Sequence, residues 1–268
     1  MDSCYVMARS TSNMVNIAKL LREHNGDPAV KVITLLEPFS LHLEPIYVSQ
    51  DFIPKLRDHL LVRLHGHEYD GDEHHFSDAE QDDLVLENLD HVPSPKRLQI
   101  YYTTYDVRCD RDSLTTCGNG VVMTLSREDG NGAHPFWYAR VLRAFQVPVR
   151  FVGPHSGLES LHLMEVLWVC WFGVEPGYHW SFKNARLPKV GFVPDTDESA
   201  FGFLDPGLVI RACHLIPAFA AGRTTDLMRP GTSLGRLPGE VEDWESFYVN
   251  MCMVCPELVY SYFNNDTS

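Results

Sequence analysis

The hydrophobic positions change their period along the chain, from a helical spacing near the N-terminus to strand-like alternation beyond residue 97. Within 49–66, apolar residues recur every three or four positions and Pro54 lies in the first turn, which predicts a helix. A similar but shorter pattern predicts a second helix over 11–26, and the β-branched residues of 29–36 predict a strand. We therefore expect residues 1–96 to form a helical arm.

Strand-like runs follow, separated by Gly, Pro and Asp at the short intervals that are typical of small barrels and sandwiches. These runs are residues 97–107, 120–126, 136–153, 164–174, 189–193 and 201–219. The pattern predicts an α+β protein with a small antiparallel β-barrel over 97–220. The remaining residues, 221–268, are expected to begin with a mobile loop over 222–239, because that segment is rich in Gly, Thr and Arg.

Charge changes this picture at one segment. The formal net charge is −14, yet ten of the 36 acidic residues lie between His65 and His91, where there is no Lys or Arg. The acidity argues against broad nucleic-acid binding by the whole chain, although a local basic face can still exist elsewhere. Residues 66–83 have little to bury and are expected to form a solvated loop, in which the Ser77–Glu80 stretch fits a capping box.

Candidate metal and catalytic chemistry is sparse. Five histidines lie in or beside the acidic loop, and histidine with carboxylate can hold a divalent metal, but their spacing matches no standard ligand motif. These histidines are His65, His67, His74, His75 and His91. We expect a solvated loop without metal and no cofactor. A metal-assisted hydrolase that uses this loop or His214 is the alternative.

No nucleophile elbow, phosphate loop, dinucleotide fingerprint or zinc-protease motif occurs in the chain. Cys213 and His214 lie in an apolar strand and are interpreted as structural. Cys252 and Cys255 form a C-x-x-C without a second pair, which indicates chance spacing. Seven cysteines without a regular spacing predict reduced thiols. With no signal peptide or membrane-spanning run, we expect a nuclear or cytoplasmic protein.

Aromatic and arginine residues are concentrated in the strands. Along the strand from Trp137, alternation separates Trp137, Ala139 and Val141 from Tyr138 and Arg140. The second set, with residues of neighbouring strands, could form a methyl-lysine cage or a nucleic-acid stacking platform, or could be core packing covered by arginine stems. The candidate binding surface consists of Trp137, Tyr138, Arg140, Arg150, Trp168, Trp171 and Arg211. Trp168 and Trp171 are expected on opposite faces, one buried and one available.

Six stretches carry a resemblance to a known family. They are DFIPKLRDHLLVRL (51–64), YYTTYDVRCDRDS (101–113), HPFWYARVLRAFQVPVRFVG (134–153), LWVCWFG (167–173), VGFVPDTDESAFGFLDPGLVIRACHLIPAFAAGRT (190–224) and DWESFYVNM (243–251). In this order they resemble the C-terminal region of proteins encoded by CACTA-like fungal mobile elements of the Plavaka type. More loosely, the barrel region is similar to BAH-type chromatin modules, which implies a BAH/SH3-like barrel.

The resemblance implies a transposon-derived, non-enzymatic accessory domain that acts near DNA, chromatin or a transposase partner. Possible partners are therefore DNA, a histone tail or transposase protein, with no membrane association, and the oligomeric state is open. The chain departs from the family pattern at Arg143, Ala144 and Cys170 and in its tail after residue 251. These departures leave an inactive relic as a further alternative.

Overall fold

The fold is that of a computed structural model, which describes residues 4–7, 13–23, 32–33, 48–49, 52–103, 109–116, 120–128, 133–152, 161–180, 186–228, 231, 233, 235–237 and 239–250. Helices within these ranges are α1 (Ile17–Glu23), α2 (Phe52–Leu64) and α3 (Asp78–Asp82). The first strands are β1 (Cys4–Met7), β2 (Asn13–Val15), β3 (Val32–Ile33), β4 (Val48–Ser49), β5 (Leu84–Leu86), β6 (Val92–Ser94), β7 (Arg97–Thr103) and β8 (Cys109–Thr115). They continue with β9 (Gly120–Leu125), β10 (Phe136–Phe151), β11 (His162–Val174), β12 (Lys189–Phe192), β13 (Phe201–Leu204), β14 (Arg211–Pro217), β15 (Arg223–Thr224), β16 (Asp243–Trp244) and β17 (Phe247–Asn250).

Six of these strands close into an antiparallel barrel. The hydrogen-bonded order is β9, β10, β11, β12, β17 and β14, and β14 pairs again with β9. The predicted antiparallel barrel is therefore confirmed. One strand of the ring was not foreseen, because β17 lies beyond residue 220, the predicted end of the barrel region.

The long strands β10 and β11 are buried on both faces. One face contributes Tyr138, Phe145 and Trp168 to the barrel core, which fills the interior. The opposite face contributes Val141 and Trp171 to a second cluster, the outer core. A bulge in β10 between Val141 and Arg143 shifts the alternation, because an extra residue turns every later side chain to the other face. Strict alternation along β10 predicts Phe145 on the same face as Val141. Because of the bulge, Phe145 instead lies on the face of Tyr138, in the barrel core.

A three-stranded sheet of β1, β7 and β8 covers the outer core. Leu98, Ile100 and Leu114 of this sheet are buried against it. The connection to the barrel is a buried ion pair, in which Arg211 Nε of β14 donates to Asp112 Oδ2 of β8 at 2.7 Å. The Arg211 guanidinium also lies over the Tyr102 ring, 3.5 Å from its centre. One arginine thus joins two sheets through a carboxylate and an aromatic face.

Helix α2 packs on the barrel core. The Phe52 ring makes edge-to-face contacts with Trp168 and Phe203, with ring centres 5.1 Å apart in both cases. The helix predicted over 49–66 is therefore present. The helix predicted over 11–26 is shorter, because β2 precedes α1 and pairs with β6. Among the described residues, no helix has the length and apolar character needed to cross a membrane.

The acidic loop is anchored by two successive residues of α2. Asp58 accepts hydrogen bonds from the Gln81 amide at 2.6 Å and from the Phe76 backbone, while His59 bonds to Asp72 at 2.8 Å. Asp72 in turn accepts from the Phe203 backbone N–H at 2.6 Å. Most side chains between these anchors are exposed, as predicted. The capping box at Ser77–Glu80 is confirmed.

Replacing Asp112 by Ala is expected to lower the free energy of unfolding by about 3–5 kcal/mol, because it leaves the Arg211 charge buried without its partner. The double variant Asp112→Leu, Arg211→Met removes both charges. Its free energy of unfolding should therefore fall much less than that of Asp112→Ala. Urea denaturation of the two variants measures the difference. Equal losses would contradict this role of the pair.

Candidate functional site

The predicted aromatic and arginine surface is not formed. Five of its seven residues are buried, with exposed fractions of 0% for Tyr138, 7% for Arg140, 1% for Trp168, 9% for Trp171 and 6% for Arg211. The two tryptophans do lie on opposite faces, in the barrel core and the outer core, but neither is available. Both faces of the strands are covered by another layer, so alternation here separates two cores and not a core from a surface.

Arg140 illustrates how a cation is accommodated inside the barrel. Its guanidinium lies over the rings of Phe192 and Phe172, 4.8 and 5.7 Å from their centres. Nη1 donates to the Gly235 carbonyl at 2.6 Å. Burial lowers the pKa of Arg140 from its usual value. Arg140 is therefore internal, and the rings that it contacts belong to β11 and β12 and not to Tyr138.

The remaining two predicted residues reach the surface separately. Trp137 is half-buried, donates from Nε1 to Glu128 at 3.0 Å and packs edge-on against Trp171. Arg150 is exposed and forms an ion pair with Glu87. These contacts do not bring Trp137 and Arg150 together in one surface.

An exposed aromatic and cation cluster does exist elsewhere, at one end of the barrel. The Phe219 ring, 69% exposed, makes an edge-to-face contact with Trp244 at 5.2 Å. Arg223 lies over the other ring, with its guanidinium carbon 4.6 Å from the centre of Trp244. We call Phe219, Arg223 and Trp244 the rim cluster.

A buried ion pair positions Trp244. Its neighbour Asp243 accepts two hydrogen bonds from Arg236, at 2.8 and 2.7 Å, and one from the Met228 backbone. Because adjacent residues of a strand point to opposite sides, the buried Asp243 directs Trp244 away from the pair. Arg223 is the cross-strand partner of Trp244 in the β15–β16 ladder, which explains their stacking. Arg236 lies in the segment predicted to be a mobile loop, yet its side chain is buried.

The paired ends of β14 and β17 support the other side of the cluster. Pro217 pairs with Phe247, and the Ala218 N–H donates to the Ser246 carbonyl at 2.9 Å. The chain then turns, since Ala221 N–H donates to the Ala218 carbonyl, and this turn presents Phe219. Ile216, at the end of β14, and Val241, before β16, add exposed apolar side chains.

A row of side chains crosses the adjacent outer face of the barrel. Lys189 of β12 pairs with Tyr248 of β17, which pairs with Ile216 of β14. Beside this row, two cations lie over the Tyr178 ring. The guanidinium carbon of Arg186 is 4.7 Å from the ring centre, and the ammonium nitrogen of Lys189 is 6.0 Å from it. Lys189 also has a carboxylate partner, since its ammonium lies 3.9 Å from Glu175. The face is therefore amphipathic and leads to the rim cluster along the β14–β17 pair.

Sequence reasoning missed the rim cluster because Phe219 is the last residue of a strand-like run, while Arg223 and Trp244 lie outside the runs. Trp244 stands in a stretch of four acids, Glu240, Glu242, Asp243 and Glu245, where a tryptophan has no strand-like neighbours. A large aromatic residue in a polar, glycine-containing segment is the signal that could have indicated an exposed contact residue.

The histidines do not form a metal centre. Three of the rings lie close together, because the centre of the His67 ring is 5.9 Å from that of His65 and 5.6 Å from that of His74. His75 forms a hydrogen bond with Asp58. Across the described parts of the chain, however, no group of three or more His, Cys, Asp or Glu side chains is placed to hold a metal ion. His91 lies in a short 3-10 turn and His214 is exposed on β14. The C-x-x-C at Cys252 and Cys255 lies outside the described residues.

Burial disfavours the charged forms of His134, Tyr138 and Cys213. Burial lowers the pKa of His134 to about 4, and its Nε2 is buried with no hydrogen-bond partner among the described residues. The neighbouring Tyr138, whose ring centre lies 5.5 Å away, has its pKa raised by burial. Burial also raises the pKa of the Cys213 thiol to about 12, so this cysteine is not a ready nucleophile. The arrangement supports packing more than acid–base chemistry.

Comparison with protein-family models, with curated proteins and with solved structures finds no match to this chain. The interpretation of the candidate surface therefore depends on its own geometry. On that geometry, the rim cluster and the adjoining outer face form a candidate binding surface.

The buried His134 predicts a pH dependence of stability. Its pKa falls from 6.5 to about 4 on folding, so its stabilising effect is present above about pH 6.5 and is lost as the pH falls toward 4. This loss amounts to about 3 kcal/mol. We expect His134→Asn to remove that part of the pH dependence, measured by denaturation at several pH values. An unchanged slope in the variant would contradict the assignment.

Proposed function

We propose that this protein is a transposon-derived, non-enzymatic accessory module with a BAH/SH3-like barrel, and that it binds a macromolecular partner through the rim cluster. The observation that carries the proposal is the exposed Phe219 ring beside Trp244. Partners consistent with the family resemblance are DNA, a histone tail or the transposase protein.

The composition of the surface favours binding. Phe219, Ile216 and Val241 are exposed large apolar side chains at one end of the barrel, and such patches mark interaction sites. Trp and Arg, both present in the rim cluster, are enriched among the residues that dominate binding energy. Burying one Phe side chain against a partner contributes about 1.5–3 kcal/mol. Because association itself has a large free-energy cost, binding also requires contacts beyond this ring, which the adjoining outer face can provide.

Charge favours a protein partner over DNA at this position. Glu240 pairs with Arg223, with 3.6 Å between nitrogen and oxygen, and thereby offsets its charge. Glu242 and Glu245 flank Trp244 and are exposed. The Glu240 carboxylate beside Arg223 and the acidic neighbours of Trp244 in the chain disfavour a phosphate backbone. A histone tail or a segment of the transposase protein therefore fits the rim cluster better than duplex DNA does.

The test is a salt titration of binding to histone-tail peptides, duplex DNA and single-stranded DNA. We expect peptide binding that Phe219→Ala or Trp244→Ala weakens about tenfold or more, because each removes an aromatic contact. Leu163→Ala is the matched control, since Leu163 is also an exposed apolar side chain but lies on β11 away from the rim cluster.

Two outcomes would contradict the proposal. One is steeply salt-dependent DNA binding that is unchanged in both rim variants, which would place the interaction elsewhere. The other is binding to none of the ligands by a folded protein.

A further inference from the structure

We infer that the rim cluster binds a lysine- or arginine-bearing segment of a protein partner, and that Arg223 occupies the position of the partner's cation in the free protein. This inference rests on the proposed binding function of the same cluster. It adds the chemical class of the partner and a role for one residue of this chain.

The contacts of Arg223 describe the cation site. Its guanidinium lies 4.6 Å from the centre of the Trp244 ring and 3.6 Å from the Glu240 carboxylate. An aromatic face with an adjacent carboxylate is what a lysine or arginine side chain requires, because the ring quadrupole and the negative charge both attract it. The site is therefore complementary to a cation, and an internal one already fills it.

The walls of this site do not depend on Arg223. Trp244 is fixed by its neighbour Asp243, which is bound to the buried Arg236. Phe219 is presented by the turn that follows β14, where backbone hydrogen bonds hold residues 217–221. Removing the Arg223 side chain is thus expected to leave the two aromatic rings in place and to uncover the face of Trp244.

Arg223 is weakly held and can be replaced. Its side chain is 38% exposed and that of Glu240 is 27% exposed, so solvent screens their ion pair. A cation–π contact at an exposed site is likewise weak. A partner that brings its own cation together with apolar contacts to Phe219 therefore competes successfully for Trp244.

The surrounding charge selects a cationic partner. The exposed Glu242 and Glu245 lie within two residues of Trp244. Arg236, another cation close to β16, is buried in its pair with Asp243 and is not available to an anion.

The experiment measures binding of a fluorescent oligo-arginine peptide to the full chain by anisotropy, with oligo-glutamate and single-stranded DNA as comparison probes. Arg223→Ala is expected to tighten oligo-arginine binding about threefold to tenfold, because it vacates the aromatic face. Glu240→Gln should weaken binding severalfold, and Phe219→Ala or Trp244→Ala should weaken it about tenfold or more. Arg127→Ala is the matched control, because Arg127 is an exposed arginine in a surface pair with Glu68 and should have no effect.

The outcomes separate this inference from the proposed function. Weaker or unchanged oligo-arginine binding by folded Arg223→Ala would overturn the inference. Binding of DNA or oligo-glutamate, but not oligo-arginine, that depends on Phe219 would overturn the inference and leave the proposed binding function in place. Binding of every probe that is insensitive to both aromatic variants would overturn both, as would no binding at all. Circular dichroism confirms folding, and Phe219→Ala remains informative if Trp244→Ala does not fold.

Discussion

Burial of both faces of β10 and β11 is the constraint on which the rest of the structure depends. These strands are hydrophobic on both sides, so each side needs its own cover. The barrel interior and α2 cover one side, and the sheet of β1, β7 and β8 covers the other. Arg140 of β10 is therefore internal, where aromatic rings and a carbonyl accommodate it, whereas Arg150 near the end of the same strand is exposed. The surface available for partners is left to the ends of the barrel and to its outer face.

Much of the architecture could be predicted from local pattern. Helix α2 follows from its three- and four-residue spacing, the capping box from Ser77 and Glu80, and the barrel from the runs of alternating residues after 97. These features depend on neighbouring residues, which the sequence shows directly. The contribution of β17 to the barrel depends on pairing with β12 and β14, which are distant in sequence, and no local signal indicates it.

The solvent exposure of the candidate binding residues could not be predicted from the sequence. Alternation showed that Tyr138 and Arg140 share a face, yet it contains no information on whether that face meets solvent or a second layer. The bulge after Val141 then changes the face of every later residue of β10. At the rim, the exposure of Trp244 depends on the Arg236–Asp243 pair, whose effect appears only in three dimensions. Aromatic rings and arginines do combine in this protein, both inside the barrel and at its end.

The central claim is that Phe219 of the rim is exposed whereas Tyr138, Trp168 and Trp171 of the predicted surface are buried. Hydroxyl-radical footprinting with mass spectrometry tests it most directly, because side-chain oxidation follows solvent exposure. The account predicts strong labelling of Phe219, weaker labelling of Trp244, and protection of Tyr138 and Trp168 until the protein unfolds. Labelling of Tyr138 and Trp168 as strong as that of Phe219 in the folded protein would contradict the account.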